Sequence, residues 1–177
     1  MYKRQGLQPA LTGQWLAYPV LGHHTSSGEA EELLPGASKY KDLWGMGWEQ
    51  NSDAVVLDGK SASMLFGFLE PDFLHPMFNP LTKRGGFDLA TLPRAFVQVA
   101  GLDLTRDDGI VYAYALEDAG VDVQLLVYPG VPHSFSGFFP TLEVSKKAHA
   151  DLAEGFAWLM GMKVGREEAM KAMREGG

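Results

Sequence analysis

Apolar residues concentrate in two short runs, 95–100 and 123–128, which are separated by a segment with a different spacing. Within that segment, 106–119, small apolar residues return every four positions. Short apolar runs between turn residues are typical of buried strands, whereas a four-residue repeat is typical of a helix face. The order strand, helix, strand predicts a right-handed crossover that joins two parallel strands.

The same patterning predicts further elements on both sides of this unit. Residues 11–21 are rich in aromatic and β-branched types with few polar positions, which predicts a first strand buried on both faces. Apolar residues at helical spacing predict weaker helices at 39–51 and 60–69 and a last helix at 142–160. Residues 71–93 are interrupted by prolines and a glycine pair, so we expect a long ordered loop there.

These elements predict an α/β fold with about three parallel strands and flanking helices in a single domain, residues 1–177. Residues 22–91 form a helical and loop insertion after the first strand, and 163–177 form a charged tail that is expected to fray. Residues 1–10 are expected to be an artefactual or frayed start, because the first five are also what a common sequencing adapter encodes.

Polar residues mark where two of the helices are expected to begin. Ser61 is the predicted N-cap of the helix at 60–69, and Thr105 is that of the helix at 106–119. Asp108 follows Thr105 by three positions, which is the spacing of a capping box.

Composition narrows the class of protein and its partners. With 46% hydrophobic and 21% charged residues, the chain of 177 residues resembles one soluble globular domain. A net charge of −7 without a basic face argues against a nucleic-acid or membrane-surface partner, and no apolar run is long enough to span a membrane. Cysteine is absent from the sequence, which excludes disulfides and thiol catalysis by this chain. The compartment is not determined, although the cytoplasm is favoured.

Neither a metal nor another cofactor is expected. His23 and His24 are adjacent and could together bind a metal, but a solvated surface loop is the preferred interpretation because no third ligand lies at a suitable spacing. No Gly-rich phosphate loop follows the first strand, which argues against a nucleotide-binding module.

The candidate chemistry lies at the ends of the second and third predicted strands. Asp103 follows the run at 95–100, and His133 follows the run at 123–128 by a short Pro-Gly turn. Because neighbouring parallel strands lie about 5 Å apart, their loops can come within hydrogen-bonding reach at the edge where open α/β sheets build sites. A carboxylate and an imidazole are two of the three groups of a serine-type hydrolase, although each alone could also be a structural loop residue.

The flanking residues carry a family resemblance. Gly101–Gly109 resembles the G-x-D-P-L-R-D-E-G segment of the hormone-sensitive-lipase-like esterases, a branch of the α/β-hydrolases, and Tyr128–Phe135 resembles their Y-x-G-x-x-H-G-F. The resemblance implies a partial α/β-hydrolase fold, the C-terminal half of such an enzyme. It also implies that Asp103 is the triad acid and His133 the triad base of a carboxylic-ester hydrolase that acts on a small-molecule ester.

The sequence departs from this family in three places. Leu104-Thr105 replaces the family's Pro-Leu, and Ser134 replaces the glycine that follows the histidine. Neither the H-G-G-G oxyanion loop nor the G-x-S-x-G nucleophile motif occurs, and the nearest match, Gly59–Ser63, ends in the wrong residue. We therefore expect an N-terminally truncated form that is close to inactive alone. The alternative is a non-catalytic fragment or pseudoenzyme that acts as a binding or interaction module.

Several side chains leave two interpretations open. Trp44, Phe135 and Phe138 are candidates for substrate binding in an acyl pocket, but plain packing is favoured for Trp44 and is equally compatible with the two phenylalanines. Asp107 could assist the pair, whereas an ion pair with Arg106 or Arg94, or an interaction with the helix dipole, is the preferred interpretation. A sheet of three strands also leaves apolar edges uncovered, which predicts self-association.

Overall fold

A computed structural model describes residues 11–21, 35–85 and 88–175. Within them, one sheet holds three parallel strands in the order β1-β2-β3. The strands are β1 Gln14–Ala17, β2 Ala95–Leu102 and β3 Val123–Pro132. The predicted α/β architecture, a partial fold with three parallel strands and flanking helices, is confirmed.

Helices connect and cover these strands. They are α1 Pro35–Ser38, α2 Met46–Gln50, α3 Gly59–Leu69, α4 Arg106–Asp118, α5 Phe135–Phe138, α6 Glu143–Leu159 and α7 Arg166–Glu175. Two short 3₁₀ turns, Lys83–Gly85 and Leu89–Thr91, lie in the segment that was predicted to be a loop. Among the described residues, no helix combines the length and the apolar character needed to cross a membrane.

The central strand β2 organises the core. Its residues from 95 to 100 are buried without interruption, as expected for a strand that is covered on both faces. Gly109 lets α4 approach one face closely, because a Cβ there would lie 2.7 Å from Val99 Cγ2. Gly155 lets α6 approach the other, because a Cβ there would lie 2.4 Å from the ring of Phe96. The strand that precedes Asp103 is therefore rigidly enclosed.

The first strand is shorter and more open than predicted. β1 has four residues instead of eleven, and Trp15 is 41% exposed, so burial on both faces is wrong. The strand ends where Tyr18 takes a positive φ of 51°, after its amide donates to the Gln98 carbonyl. The ladder cannot continue beyond that residue because its backbone is no longer extended.

The N-cap predicted for α3 is wrong, and the N-cap predicted for α4 lies at the predicted residue but makes no side-chain cap bond. Asp58 is the N-cap of α3, and its Oδ1 accepts from the Ser61 amide at 2.6 Å. Thr105 makes no side-chain cap bond, and its hydroxyl donates to Asp103 instead. The Asp108 carboxylate accepts from the Leu21 amide and from Trp44 Nε1, so no capping box forms.

Two segments fold differently from their patterns. The single helix predicted at 39–51 is wrong over its first half, because residues 39–45 form turns and only α2, Met46–Gln50, is helical. Gly45, directly before α2, takes a left-handed φ of 102° that a continuous helix could not contain. The segment that was predicted to be a frayed tail forms α7 instead. Its first residue, Arg166, donates to Asp151 at 2.6 Å and to Glu154 at 2.8 Å, which holds the helix against α6.

Candidate acid–base site

The structure brings Asp103 and His133 into direct contact. Each is the first residue after its strand, β2 or β3, and these strands are neighbours. His133 Nδ1 lies 2.8 Å from Asp103 Oδ2. An ionised carboxylate only accepts, so Nδ1 is the protonated nitrogen in the neutral ring and Nε2 is left with a free lone pair. This is the tautomer that a general base needs.

The acid is buried and held by hydrogen bonds. The Asp103 side chain is 1% exposed. Its Oδ1 accepts from the Thr105 amide at 2.9 Å and from the Thr105 hydroxyl at 3.1 Å. Its backbone carbonyl accepts from Asn51 Nδ2 at 3.1 Å. One carboxylate oxygen is thereby fixed while the other remains for His133.

Helix α2, in the segment between β1 and β2, packs directly on this loop. A Cβ at Gly47 would lie 2.6 Å from the Leu104 carbonyl, so only glycine lets α2 approach so closely. The Gly47 amide donates to Asp107 Oδ2 at 2.6 Å, and Arg106 Nε donates to Asp107 Oδ1 at 2.9 Å. The preferred interpretation of Asp107 as an ion-pair partner of Arg106 therefore agrees with the structure. Arg94 lies elsewhere and donates to the Trp158 carbonyl.

The base is held by packing. The His133 side chain is 21% exposed, and the Tyr18 ring lies beside it with 5.8 Å between the ring centroids. Tyr18 Oη is 3.0 Å from Ser136 Oγ, which ties the ring to the loop that follows His133. Burial raises the pKa of the Tyr18 hydroxyl, so this group stays protonated at neutral pH. The residue after the histidine, Ser134, takes a left-handed φ of 51° where the family pattern has glycine.

The three predicted substrate-binding aromatics occupy different surroundings. Phe135 has 0% exposure and packs between Tyr18 and Tyr128, so in this structure its ring belongs to the core. Trp44 packs against the core cluster around α4 and donates to Asp108. Phe138 is 63% exposed, and its contact with substrate stays a prediction.

A cleft of about 540 Å³ adjoins the strand ends. Leu102 and Pro132, which directly precede the acid and the base, form part of its wall. The remaining lining is largely apolar and is contributed by Gln50, Asn51, Asp53, Ala54, Val55, Gly130, Val131, Phe139 and Leu142. The cleft could accept an apolar group.

Sequence patterns did not indicate three of the contacts at this site. The Thr105 hydroxyl was assigned to a cap, Tyr18 to a strand face and Asn51 to a helix. The only signal for Tyr18 was its place before Pro19 at the end of a strand. Among residues 11–21, 35–85 and 88–175, no group of three side chains is placed to bind a metal, and the His23-His24 pair lies outside them.

A family model and a search of known proteins both match this chain and indicate the same fold family. A family model described as the alpha/beta hydrolase fold matches residues 1–137. An AB hydrolase superfamily protein of Schizosaccharomyces pombe is 35% identical over 154 residues, which make up 87% of this chain and 42% of that protein.

Two solved structures resemble the chain over most of its length. A vibralactone cyclase matches with a TM-score of 0.72 and 31% identity, covering 87% of this chain and 41% of the cyclase. An esterase from Pyrobaculum calidifontis matches with a TM-score of 0.63 and 28% identity, covering 84% of this chain and 43% of the esterase. The chain therefore spans less than half the length of these relatives.

Proposed function

The chain belongs to the α/β-hydrolase fold family, and on that premise we propose that it carries the acid and the base of a carboxylic-ester hydrolase. The observation that carries the proposal is the 2.8 Å hydrogen bond between Asp103 and His133 at the ends of neighbouring parallel strands. Acyl transfer through a hydroxyl nucleophile needs a base oriented by an acid in this way.

The proposed reaction follows from the tautomer. A serine hydroxyl attacks the ester carbonyl carbon while His133 Nε2 takes its proton. The resulting imidazolium is stabilised by Asp103, and it returns the proton to the alkoxide that leaves. Water then repeats the sequence on the acyl-enzyme and releases the acid.

The chain lacks the sequence motif that is expected to carry the nucleophile. The 177 residues contain neither G-x-S-x-G nor H-G-G-G. We infer that residues 1–177 act as one partial domain of an N-terminally truncated form and that the serine and the oxyanion donors come from outside it. Each missing oxyanion donor would cost about 3–4 kcal/mol of transition-state stabilisation, so the chain alone should be close to inactive.

The same absence favours a second candidate, a non-catalytic module that binds a small molecule or self-associates. The exposed Trp15 on the short strand β1 supports self-association through that edge. The DNA upstream of the Met1 codon distinguishes the two candidates. An in-frame H-G-G-G and G-x-S-x-G would support the hydrolase, whereas a promoter and start signal directly before Met1 would support the module.

A chimera tests the acid–base assignment. Residues 11–161 would replace the corresponding segment of the Pyrobaculum calidifontis esterase, which supplies its own upstream half. Hydrolysis of p-nitrophenyl butyrate by the chimera should be lost in His133→Ala and retained in His149→Ala, a histidine on α6. The chain alone serves as the second assay: ester hydrolysis that survives His133→Ala would contradict the proposed mechanism.

A further inference from the structure

We propose that the Thr105 hydroxyl is a positioning group for the acid–base pair, holding the Asp103 carboxylate in the orientation that presents Oδ2 to His133. The inference rests on the proposed function in treating this pair as catalytic. It assigns to Thr105 a role that differs from the helix cap its position suggests.

The geometry separates the two carboxylate oxygens. Thr105 directs both its amide and its hydroxyl at Oδ1, at 2.9 and 3.1 Å, and Oδ2 is 2.8 Å from His133 Nδ1. Both Thr105 and Asp103 are buried, at 4% and 1% exposure. Water therefore cannot easily replace the hydroxyl as a donor, and each bond keeps its strength in these surroundings.

The hydroxyl is a feature of this chain. In the family segment that Gly101–Gly109 resembles, leucine stands at the position of Thr105. Leucine offers the same backbone amide but no side-chain donor, so relative to that segment Thr105 adds a second bond to Oδ1. The torsion that turns a carboxylate is broad and roughly two-fold, and a single amide leaves room for rotation. A second donor on the same oxygen narrows that range.

The consequence is measurable on His133 itself. A firmly held Oδ2 accepts from Nδ1–H and keeps the ring in the tautomer with a free Nε2. If the carboxylate turns more freely, the tautomer with the proton on Nε2 gains population, and the base is available for a smaller fraction of the time. This change needs no substrate and no nucleophile, so it can be observed in the chain as it exists.

The test is NMR of the full chain with ¹⁵N-labelled histidine, which reports the two ring nitrogens of His133 separately. In Thr105→Val, the ratio of the Nδ1–H to the Nε2–H tautomer should fall by about fivefold, which corresponds to the loss of one net hydrogen bond. Thr105→Leu should give the same loss. Thr105→Ser restores the hydroxyl and should restore the ratio.

Two controls distinguish the outcomes. Thr82→Val removes the hydroxyl of another fully buried threonine and should leave the His133 signals unchanged. Asp103→Asn tests the pair itself. If Asp103→Asn shifts the tautomer but Thr105→Val and Thr105→Leu do not, the role of Thr105 is refuted and the pair stands. If Asp103→Asn has no effect, the acid–base pair fails, and the proposed function fails with it.

Discussion

The two loops that carry the proposed acid and base are held by different interactions. The Asp103 loop is buried and fixed by polar contacts, with Thr105 on the carboxylate and Asn51 on the carbonyl. In the His133 loop the imidazole is 21% exposed, and the Tyr18 ring packs beside both His133 and Phe135. An acid that only orients its partner can be enclosed, whereas a base must keep a nitrogen accessible to the reacting groups.

The largest effect should come from changing the Asp103 carboxylate, the centre of the polar contacts. In the chimera with the Pyrobaculum calidifontis esterase, Asp103→Asn should lower kcat by about 10⁴-fold, because an amide no longer selects the productive tautomer of His133. Asp122→Asn, at an exposed carboxylate before β3, is the matched control and should leave kcat unchanged. Initial rates with p-nitrophenyl butyrate measure both. A loss below tenfold for Asp103→Asn would contradict its role as the acid.

Removing a buried aromatic side chain from the His133 loop should instead lower the stability of the chain. Phe135 is fully buried two positions after His133 and packs against Tyr18 and Tyr128, so Phe135→Ala should lower the free energy of unfolding of the chain by about 3–5 kcal/mol. Phe138→Ala, three residues on and 63% exposed, should change it by less than about 0.5 kcal/mol. Urea denaturation followed by circular dichroism gives both values. Equal effects of the two substitutions would show that the loop does not depend on this core contact.

The contrast between the loops also explains what the sequence could predict. Strands β2 and β3, helix α4 and the meeting of Asp103 with His133 follow from local patterns, because strand ends and one crossover determine them. The Thr105 hydroxyl donates to Asp103, whereas an N-cap hydroxyl accepts from a helix amide, and the cap pattern could not reveal which of the two bonds forms. Tyr18 reaches His133 only because its own backbone leaves the strand at a positive φ. The first contact joins residues two positions apart and depends on the local turn. The second joins residues whose proximity is a result of tertiary packing.

The C-terminal segment illustrates the same limit. Its charges predicted a solvated tail, but Arg166 finds the Asp151 carboxylate, which is also bound by the Tyr128 hydroxyl and by Lys147. A buried acceptor on α6 therefore turns a charged segment into a packed helix. A pattern of hydrophobic positions carries no information about such a partner.

The buried Tyr128 hydroxyl should also make the stability of the chain depend on pH in the alkaline range. Burial raises the pKa of the Tyr128 hydroxyl well above 10.0, and the neighbouring Asp151 carboxylate adds to the shift. Because the folded-state pKa is raised, the stabilisation is fully present below about pH 10 and is lost as the pH rises further. The free energy of unfolding should therefore fall above pH 10, and Tyr128→Phe should make that fall shallower. Denaturant titrations between pH 8 and about 11 measure the slope.

An exposed tyrosine provides the control for this pH dependence. Tyr114, on α4, is 37% exposed, so Tyr114→Phe removes a hydroxyl from a more open site and is the matched control for the slope above pH 10. If Tyr128→Phe and Tyr114→Phe flatten the pH slope equally, burial of the Tyr128 hydroxyl is not the cause of the fall in stability.

The smallest effect concerns the backbone that turns the chain after His133. Ser134 holds a φ of 51°, where a Cβ costs about 1–2 kcal/mol, and glycine removes that cost while adding some entropy to the unfolded chain. Ser134→Gly should therefore raise the free energy of unfolding by about 0.5–1 kcal/mol. The reciprocal change is Gly130→Ala, at a φ of 73°, which should lower it by about 1 kcal/mol. If Ser134→Gly destabilises the chain, the serine side chain must contribute a contact to the His133 loop that outweighs its backbone strain.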